Sequence, residues 1–366
     1  MKTLLFLLLL ASFIIAQLND GGLRSALANN RLGWGNNCGA IALNLKIRAN
    51  PARKRSQWTN FRAQFGKKFR NTTDEELHAR IFEETEKVVA EHNAAYERGE
   101  TTFTIGINQF ADLTEDEWKA RNHPFPLEHL EKLFEGAEVH NVTEHVRVKR
   151  HPANLDWRTW GGVAPVKNQG GCGSCYTFSA VAALETAHWR KYNTLPILSE
   201  QQLLDCTGEY GNGGCGGGWM HTAFKYLIEK SNGVALDRDY PYTATVGTCR
   251  KDVRPNTKVA RYVRIPAGDE KALLDAVATT GTVAIAYNAG TTAHAYYKSG
   301  ILDVPNCGNT PTHAVAVVGY GTENGVDFWT LKNSWGTGWG EKGFFRMRRG
   351  ANMCGIADWG SYPFVA

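Results

Sequence analysis

An α+β fold in two lobes is predicted for this 366-residue chain, and three observations predict it. Beyond His151 one strong helical pattern, Cys175 to Tyr192, comes first and β-like runs follow it instead of alternating with it. Those runs, Val283 to Tyr287, Ala314 to Tyr320, Phe328 to Leu331 and Gly343 to Met347, are short and mostly apolar, as strands buried in a core require. Composition also shifts at His151, because glycine, tryptophan and seven of the eight cysteines lie after it, whereas the part before it reads as mainly helical. At about 150 residues per domain the length allows two or so domains with ample core. A net charge of +5, spread on both sides of Arg150, forms no basic arm or stripe for nucleic acid or an anionic membrane.

Met1-Lys2 followed by the apolar run Leu4 to Ile15 opens the chain. That run is shorter than the roughly 20 helical residues a bilayer needs and has no polar face, so 1–16 is read as a cleaved secretory signal. No later segment reaches membrane-spanning length. The expectation is a soluble, non-inserted product of the secretory pathway, lysosomal or extracellular, where disulfides are permitted. Residues 17–55 are Gly/Asn-rich, then basic, and form an extension to which no role is assigned. From 56 to 150 the pattern is first helical: Trp58, Phe61 and Phe65 share one face, and Leu77, Ile81, Val88 and Val89 continue a second helix. Asn71-Thr72-Thr73 separates the two, and Asp74 supplies the acid that favours a helix start. Gly106 to Asp112 alternates like a short strand, and a charged, His-rich stretch runs on to Arg150. The run Arg147-Val148-Lys149-Arg150 reads equally as a solvated charge patch or a processing site. Asn71-Thr72-Thr73 and Asn141-Val142-Thr143 are glycosylation acceptors, and none follows His151.

The densest chemical signal is Gln169-Gly170-Gly171-Cys172-Gly173-Ser174-Cys175-Tyr176. Haem attachment needs His where Tyr176 stands, zinc needs a second ligand pair that Cys206 and Cys215 do not make, and a thioredoxin-like site needs an early βαβ unit. What is left is a nucleophile at a helix start, where the positive end of the helix favours thiolate. Such a thiolate needs a histidine and a group that orients its ring. Among 11 histidines His313 stands out, opening the buried-strand pattern Ala314 to Gly321, while His294 lies in a loop-like stretch. Lys332-Asn333-Ser334-Trp335-Gly336 offers an amide to the imidazole and an indole to shield it.

Together these residues resemble the papain family of cysteine peptidases, in its cathepsin L-like branch. His313 falls within the family's span of about 130 to 150 residues after the cysteine, and Asn333 slightly beyond it. The resemblance runs from Trp58 to Pro363. It implies a papain-like two-lobed fold, a helical lobe and a β-barrel-like lobe, over 151–366, with a mainly helical inhibitory propeptide over 56–150. It makes Cys175 the nucleophile, His313 the general acid/base, Asn333 the orienting amide and Gln169 part of the oxyanion hole. It pairs Cys172 with Cys215, Cys206 with Cys249 and Cys307 with Cys354, leaving Cys175 free and Cys38 unassigned: a free thiol lost with the prosegment, a link between precursors or an unusual tether. No metal or cofactor is implied, and the partners are protein substrates and the chain's own propeptide, with the mature enzyme a monomer. Cleavage is expected near Arg150 and His151.

Upstream, Trp58-x-x-Phe61-x-x-x-Phe65-x-Lys67-x-Phe69 and Gly106-x-Asn108-x-Phe110-x-Asp112 match the family's propeptide motifs, whereas the long-helix motif is degraded, with His78 and Thr85 in place of Arg and Asn. Such propeptides block the cleft in the reverse direction and loosen at acidic pH, consistent with carboxylates such as Asp112 losing charge. Gly217 and Gly218 match the backbone strip that pairs with an extended peptide. The pocket for the side chain two residues before the cleaved bond (P2) falls on Trp219, Met220, Ala286, Pro311, Thr312 and Trp359. Trp359 puts an indole at the pocket floor, so a shortened pocket that prefers small or flat apolar residues over Phe or Arg is expected. Tyr176 replaces a commoner Trp, and Thr312 stands where Asp or Asn usually precedes the histidine, a change expected to shift the pH profile. With no occluding insertion after the Gly-rich segment, endopeptidase activity is favoured. A dipeptidyl-peptidase-like exopeptidase and a papain-fold binding protein without activity are the alternatives, and the second would need one of Cys175, His313, Asn333 or Gln169 to be missing.

Overall fold

The computed structural model describes residues 51–122, 125, 134, 136–142 and 151–366. The signal, the segment up to residue 50 with Cys38, and Arg147 to Arg150 lie outside the described residues. By its contacts the chain divides into two units, 1–59 and 60–366.

Helix α1 (Pro51–Phe65) is followed by α2 (Thr72–Glu97), whose start is fixed by Asn71. The Asn71 side-chain oxygen accepts the Asp74 N–H at 2.9 Å, and Asp74 and Glu75 add negative charge to the first turn. The buried face of α2 is His78, Phe82 and Thr85, with Phe82 on Phe61 at 4.5 Å between ring centres. The expected stripe is therefore corrected: Leu77 and Val88 are exposed. The reason is that two polar residues fill the packed face at the i, i+4, i+7 positions, which a count of apolar residues cannot find.

A strand, β1 (Phe103–Ile105), comes next, and it ends before the expected Gly106–Asp112 run. That run is a turn instead, because the Asn108 side chain accepts the Phe110 N–H at 2.9 Å. Helix α3 (Glu115–Arg121) starts in a capping box of Thr114 and Glu117. Asp112, buried beneath it, pairs with the Lys67 ammonium, and its carbonyl accepts the His78 Nδ1–H at 2.7 Å. Removing that carboxylate charge leaves the Lys67 ammonium with the neutral Gln109 carbonyl at 2.8 Å but without its counter-charge, a loss of about 1–3 kcal/mol. Asp112→Asn is expected to lower the thermal stability of the full-length chain and to speed its conversion to a shorter form near neutral pH, followed by gel electrophoresis against time.

The remaining elements are β2 (Glu138–Val139), β3 (Leu155–Asp156), α4 (Cys175–Tyr192), α5 (Glu200–Cys206), α6 (Met220–Glu229), β4 (Val259–Arg264), α7 (Glu270–Thr279), β5 (Val283–Tyr287), α8 (Thr292–Tyr296), β6 (Tyr297–Leu302), β7 (His313–Glu323), β8 (Val326–Lys332), β9 (Phe344–Arg348) and β10 (Trp359–Val365). They form one sheet in the order β1-β6-β9-β8-β7-β5-β10-β4-β2, with β3 also on β7. Pairing is antiparallel except for β6 with β9 and β2 with β4. Both end strands of the sheet thus come from the segment before His151. β3 approaches β7 so closely that a Cβ at Gly319 would lie 2.2 Å from the Leu155 carbonyl oxygen, so only glycine fits.

Two cores result. One lies among Trp157, Ile285, Val317, Trp329 and Phe345 of the sheet, and the other among Leu184, Leu198, Trp219 and Phe224 of the helices. Disulfides join Cys172 to Cys215, Cys206 to Cys249 and Cys307 to Cys354. Among the described residues no helix is long and apolar enough to cross a membrane.

Candidate active site

Cys175 is the first residue of α4, buried and the free cysteine of the described chain. The preceding loop is pinned by the Cys172–Cys215 bond, and Ser174, the N-cap, does not cap: its hydroxyl bonds the Tyr242 hydroxyl at 2.5 Å. The helix N–H groups of Cys175 and Tyr176 are left to face the sulfur, together with the N–H of Ala314. These donors favour thiolate, as does the positive helix end.

Ala314 follows His313, so the thiol lies at the start of β7. There His313 is held in register opposite Tyr287 of β5. Its Nε2–H donates to the Asn333 side-chain oxygen at 2.8 Å, which leaves Nδ1 as the basic atom of the ring. Trp335 stacks on the imidazole at 4.6 Å with 28° between planes and is itself buried, so the His–Asn bond is screened from water. The Asn333 oxygen also accepts the Ser334 N–H at 2.7 Å, which fixes the amide. Gln169 is tied to the same loop: its backbone N–H donates to the Ser334 carbonyl at 2.8 Å, and the Ser334 hydroxyl donates to its side-chain oxygen at 2.6 Å. Its Nε2 donates to the Cys172 carbonyl at 2.9 Å, which holds the side-chain amide close to the loop that carries Cys175.

The segment before His151 covers this cleft. Gln109 Nε2 donates to the Trp335 carbonyl at 2.9 Å, Arg121 Nη1 to the Gly170 carbonyl at 3.0 Å and the Phe125 N–H to the Pro311 carbonyl at 2.9 Å. Phe110 and Trp118 pack edge-on to Trp335. Burial pushes the Cys175 thiol up to about 11 and the His313 imidazole down to about 4, the second shift opposed by the bond to Asn333. Both groups are therefore neutral between those values, and the thiolate form of Cys175 is scarce. Alkylation of Cys175 by iodoacetamide in the intact full-length chain is expected to stay slow from pH 5 to 8 and to rise only toward pH 11. Removing the segment should speed it at least about 100-fold at pH 6, the thiolate fraction being what limits the rate; equal rates before and after would contradict this.

Of the expected peptide-binding residues, Gly217 has a φ of +102° and Gly218 leaves no room for a side chain, a Cβ there meeting the Asn212 side-chain oxygen at 2.4 Å. That oxygen accepts the Trp219 N–H at 2.7 Å and so sets where the indole stands. Trp219 and Met220 are buried, and Ala286 lies in register between Ala314 and Trp359. Trp219 and Trp359 are 5.2 Å apart between ring centres. The Thr312 hydroxyl accepts the Ala289 N–H at 3.0 Å.

Sequence reading missed the residues that occupy the cleft. Phe125 packs on Trp219 at 4.9 Å and Phe134 on His221 at 4.1 Å. Pro124 and Pro126 flank Phe125, an extended-chain signal that could have marked it. His294 is buried away from the Asn333 bond, with its Nδ1 on the Thr291 hydroxyl at 2.9 Å.

Residues 151–364 match the family described as papain family cysteine protease, and residues 58–118 the cathepsin propeptide inhibitor domain. A cathepsin L-like peptidase of Aedes aegypti is 38% identical over 317 residues, covering 85% of this chain and 93% of its own length. Thiol protease aleurain of Arabidopsis thaliana is 41% identical over 315 residues, 84% of each chain. Among solved structures, digestive procathepsin L 3 from the larval midgut of Tenebrio molitor has a TM-score of 0.77 at 38% identity, covering 85% of this chain and 98% of that one.

Proposed function

We propose that this chain, which belongs to the papain family of cysteine proteases and carries the cathepsin propeptide inhibitor domain, is a cysteine endopeptidase zymogen of the secretory pathway working through Cys175, His313, Asn333 and Gln169. The observation that carries the residue roles is the His313–Asn333 bond beneath Trp335, with the thiol of Cys175 beside the next residue of the same strand. Once the propeptide leaves, Nδ1 of His313 takes the thiol proton and the sulfur attacks the substrate carbonyl carbon. Charge moves to the carbonyl oxygen, where the Cys175 N–H and the Gln169 amide meet it. His313 then gives its proton to the leaving amine as the C–N bond breaks, which leaves a thioester. A water deprotonated by His313 attacks that thioester and returns the free thiol.

The proposed division is a signal over 1–16, an extension over 17–55, a propeptide over 56–150 and the peptidase over 151–366, with cleavage near Arg150 and His151. His151 is anchored, its Nε2 lying 3.0 Å from the Asp275 carboxylate. Asn71 and Asn141 are both exposed, as N-glycosylation requires. The active form would work in a lysosome or outside the cell. In the proenzyme the buried ring of Phe125 already packs on Trp219 at 4.9 Å, while its backbone N–H donates to the Pro311 carbonyl at 2.9 Å. That packing favours a P2 pocket that takes Phe or Leu over the smaller residues expected from Trp359 alone.

The test is activation at acidic pH, sequencing of the new N-terminus, labelling with an epoxide that alkylates reactive thiols, and profiling of dipeptide substrates. Stoichiometric label on Cys175 with turnover of Phe or Leu at P2 is the expected result. An unlabelled, inert product would overturn the peptidase reading, and a preference for Gly or Ala at P2 would overturn the pocket assignment.

A further inference from the structure

The loop from Gln169 to Ser174 separates the two donors that the proposed mechanism places at the substrate oxygen: the Gln169 amide begins it and the Cys175 N–H directly follows it. The middle of the loop is fixed by the Cys172–Cys215 bond and by the Gly173 N–H, which donates to the Cys215 carbonyl at 3.0 Å. Its two ends meet on a tyrosine. The Tyr242 hydroxyl donates to the Gln169 backbone carbonyl at 2.9 Å and lies 2.5 Å from the Ser174 hydroxyl. A phenol has one proton to give, so with that proton on the Gln169 carbonyl the Ser174 hydroxyl is the donor to the Tyr242 oxygen. Tyr242 is itself held. On one side the Tyr240 carbonyl accepts the Ser199 hydroxyl at 2.6 Å, and on the other the Thr243 N–H donates to the Gln201 side-chain oxygen at 2.8 Å, both at the start of α5. The Tyr242 ring packs edge-on to Phe178 of α4 at 4.9 Å.

We propose that Tyr242 is a positioning residue for the oxyanion hole, which sets the Gln169 amide and the Cys175 N–H at the separation that the tetrahedral intermediate requires. The proposal deepens the peptidase reading and rests on it. Ser334 fixes the Gln169 side chain from the β8 side, and Tyr242 fixes its backbone from the α5 side. Ser174 is 0% and Gln169 5% exposed, so neither partner of the Tyr242 hydroxyl can turn to bulk water in its place. Without that hydroxyl the Ser174 O–H and the Gln169 carbonyl must find new partners, and the loop between them shifts to do so. Donors in an oxyanion hole act at about 2.7–3.1 Å from the oxygen, so a small shift is felt where charge develops and hardly at all in ground-state binding.

The experiment uses the activated enzyme and compares the parent with Tyr242→Phe, which keeps the ring on Phe178, in peptide hydrolysis, inhibition by a peptide aldehyde and alkylation by iodoacetamide. Hydrolysis and the aldehyde adduct both develop negative charge on a former carbonyl oxygen. Alkylation does not, since sulfur displaces iodide from a methylene carbon. Tyr242→Phe should lower kcat about tenfold with KM unchanged and weaken the aldehyde by a similar factor. The iodoacetamide rate should stay within about twofold of the parent across its pH profile, because the thiol and imidazole keep their places. Ser174→Ala breaks one of the two bonds and leaves Tyr242 on Gln169, so it should show the same pattern with a smaller loss, and it carries the test if Tyr242→Phe fails to fold. An unchanged kcat, or losses of equal size in hydrolysis and alkylation, overturns the positioning role, the second because a loosened fold would slow both reactions. If the parent cuts no peptide and the thiol-directed epoxide leaves Cys175 unlabelled, the peptidase reading itself has failed and the role falls with it. A labelled, active parent beside an unaffected Tyr242→Phe rejects the positioning role alone.

Discussion

Cys175→Ser is expected to lower kcat for peptide hydrolysis by about 10⁴ to 10⁶-fold while the fold and its thermal midpoint stay close to those of the parent. The structure separates the two effects. The side chain is small, buried and flanked by the N–H groups of Cys175, Tyr176 and Ala314, which serve a serine hydroxyl as well as a thiol. Folding therefore has little to lose. Chemistry loses nearly everything, because an alcohol is a far weaker acid than a thiol and a single imidazole with one amide partner is a poor base for it. Asn333→Ala supplies the contrast. It removes the acceptor at 2.8 Å from the imidazole but leaves Trp335 stacked on the ring, so orientation is weakened and not abolished. A kcat loss of about 10²-fold is expected there, with a stability loss of about 1–3 kcal/mol, since the Ser334 N–H also loses its acceptor. Stopped assays and thermal unfolding on the same preparations check both. A Cys175→Ser protein that still turns over within 100-fold of the parent would remove Cys175 from the nucleophile's role.

These expectations rest on residues that could be read before any fold was known, and it is instructive which ones could not. The helix at Cys175–Tyr192 and the strand at Val283–Tyr287 have the same limits in the fold as in the sequence pattern, because long periodic or uniformly apolar runs bounded by Pro and Gly leave few alternatives. The side chains of Gln169, His313 and Asn333 lie in one bonded group through Ser334, a residue that has no sequence signal of its own. The face of α2 that packs was hidden by His78 and Thr85, polar residues that become core only because Asp112 and Tyr296 meet them. Phe125 and Phe134 were hidden for the opposite reason. They are apolar residues in a stretch without period, and what gives them meaning is Trp219 and His221, about a hundred residues away in the chain. Contacts that depend on tertiary partners leave no local pattern to read.

The clearest case of that kind is the group of charges behind the site, and it carries the second large expected effect. Glu185 of α4, Glu200 of α5 and Lys332 at the end of β8 are 1%, 2% and 8% exposed, a burial of charge that no local sequence pattern signals. Lys332 lies 3.7 Å from Glu185, and Lys167 lies 2.6 Å from Glu200 and 3.5 Å from Asp237. Glu185 also accepts the Leu198 N–H at 3.1 Å. These pairs tie the helical lobe to the strand that delivers Asn333. Glu185→Ala leaves the Lys332 ammonium buried without its partner, and breaking a buried pair from one side costs about 3–5 kcal/mol. At about 2–4 °C per kcal/mol for a domain of this size, a fall in Tm of roughly 10 °C is expected. The double change Glu185→Leu with Lys332→Met should recover most of it, because removing both charges also removes the need to desolvate them. Acidity enters through Glu200, which burial raises from 4.5 to about 7. A carboxyl with a raised folded-state pKa contributes its stability fully below pH 4.5 and loses it as pH climbs through about 7. Thermal unfolding followed across that window should therefore show a midpoint that declines toward pH 7 in the parent and is flatter in Glu200→Gln. A decline of equal slope in both would assign the pH dependence to other groups. Because Asn333 directly follows Lys332, the Glu185→Ala enzyme should also lose activity at temperatures below its unfolding transition, as the strand that sets the amide against His313 loosens before the fold is lost.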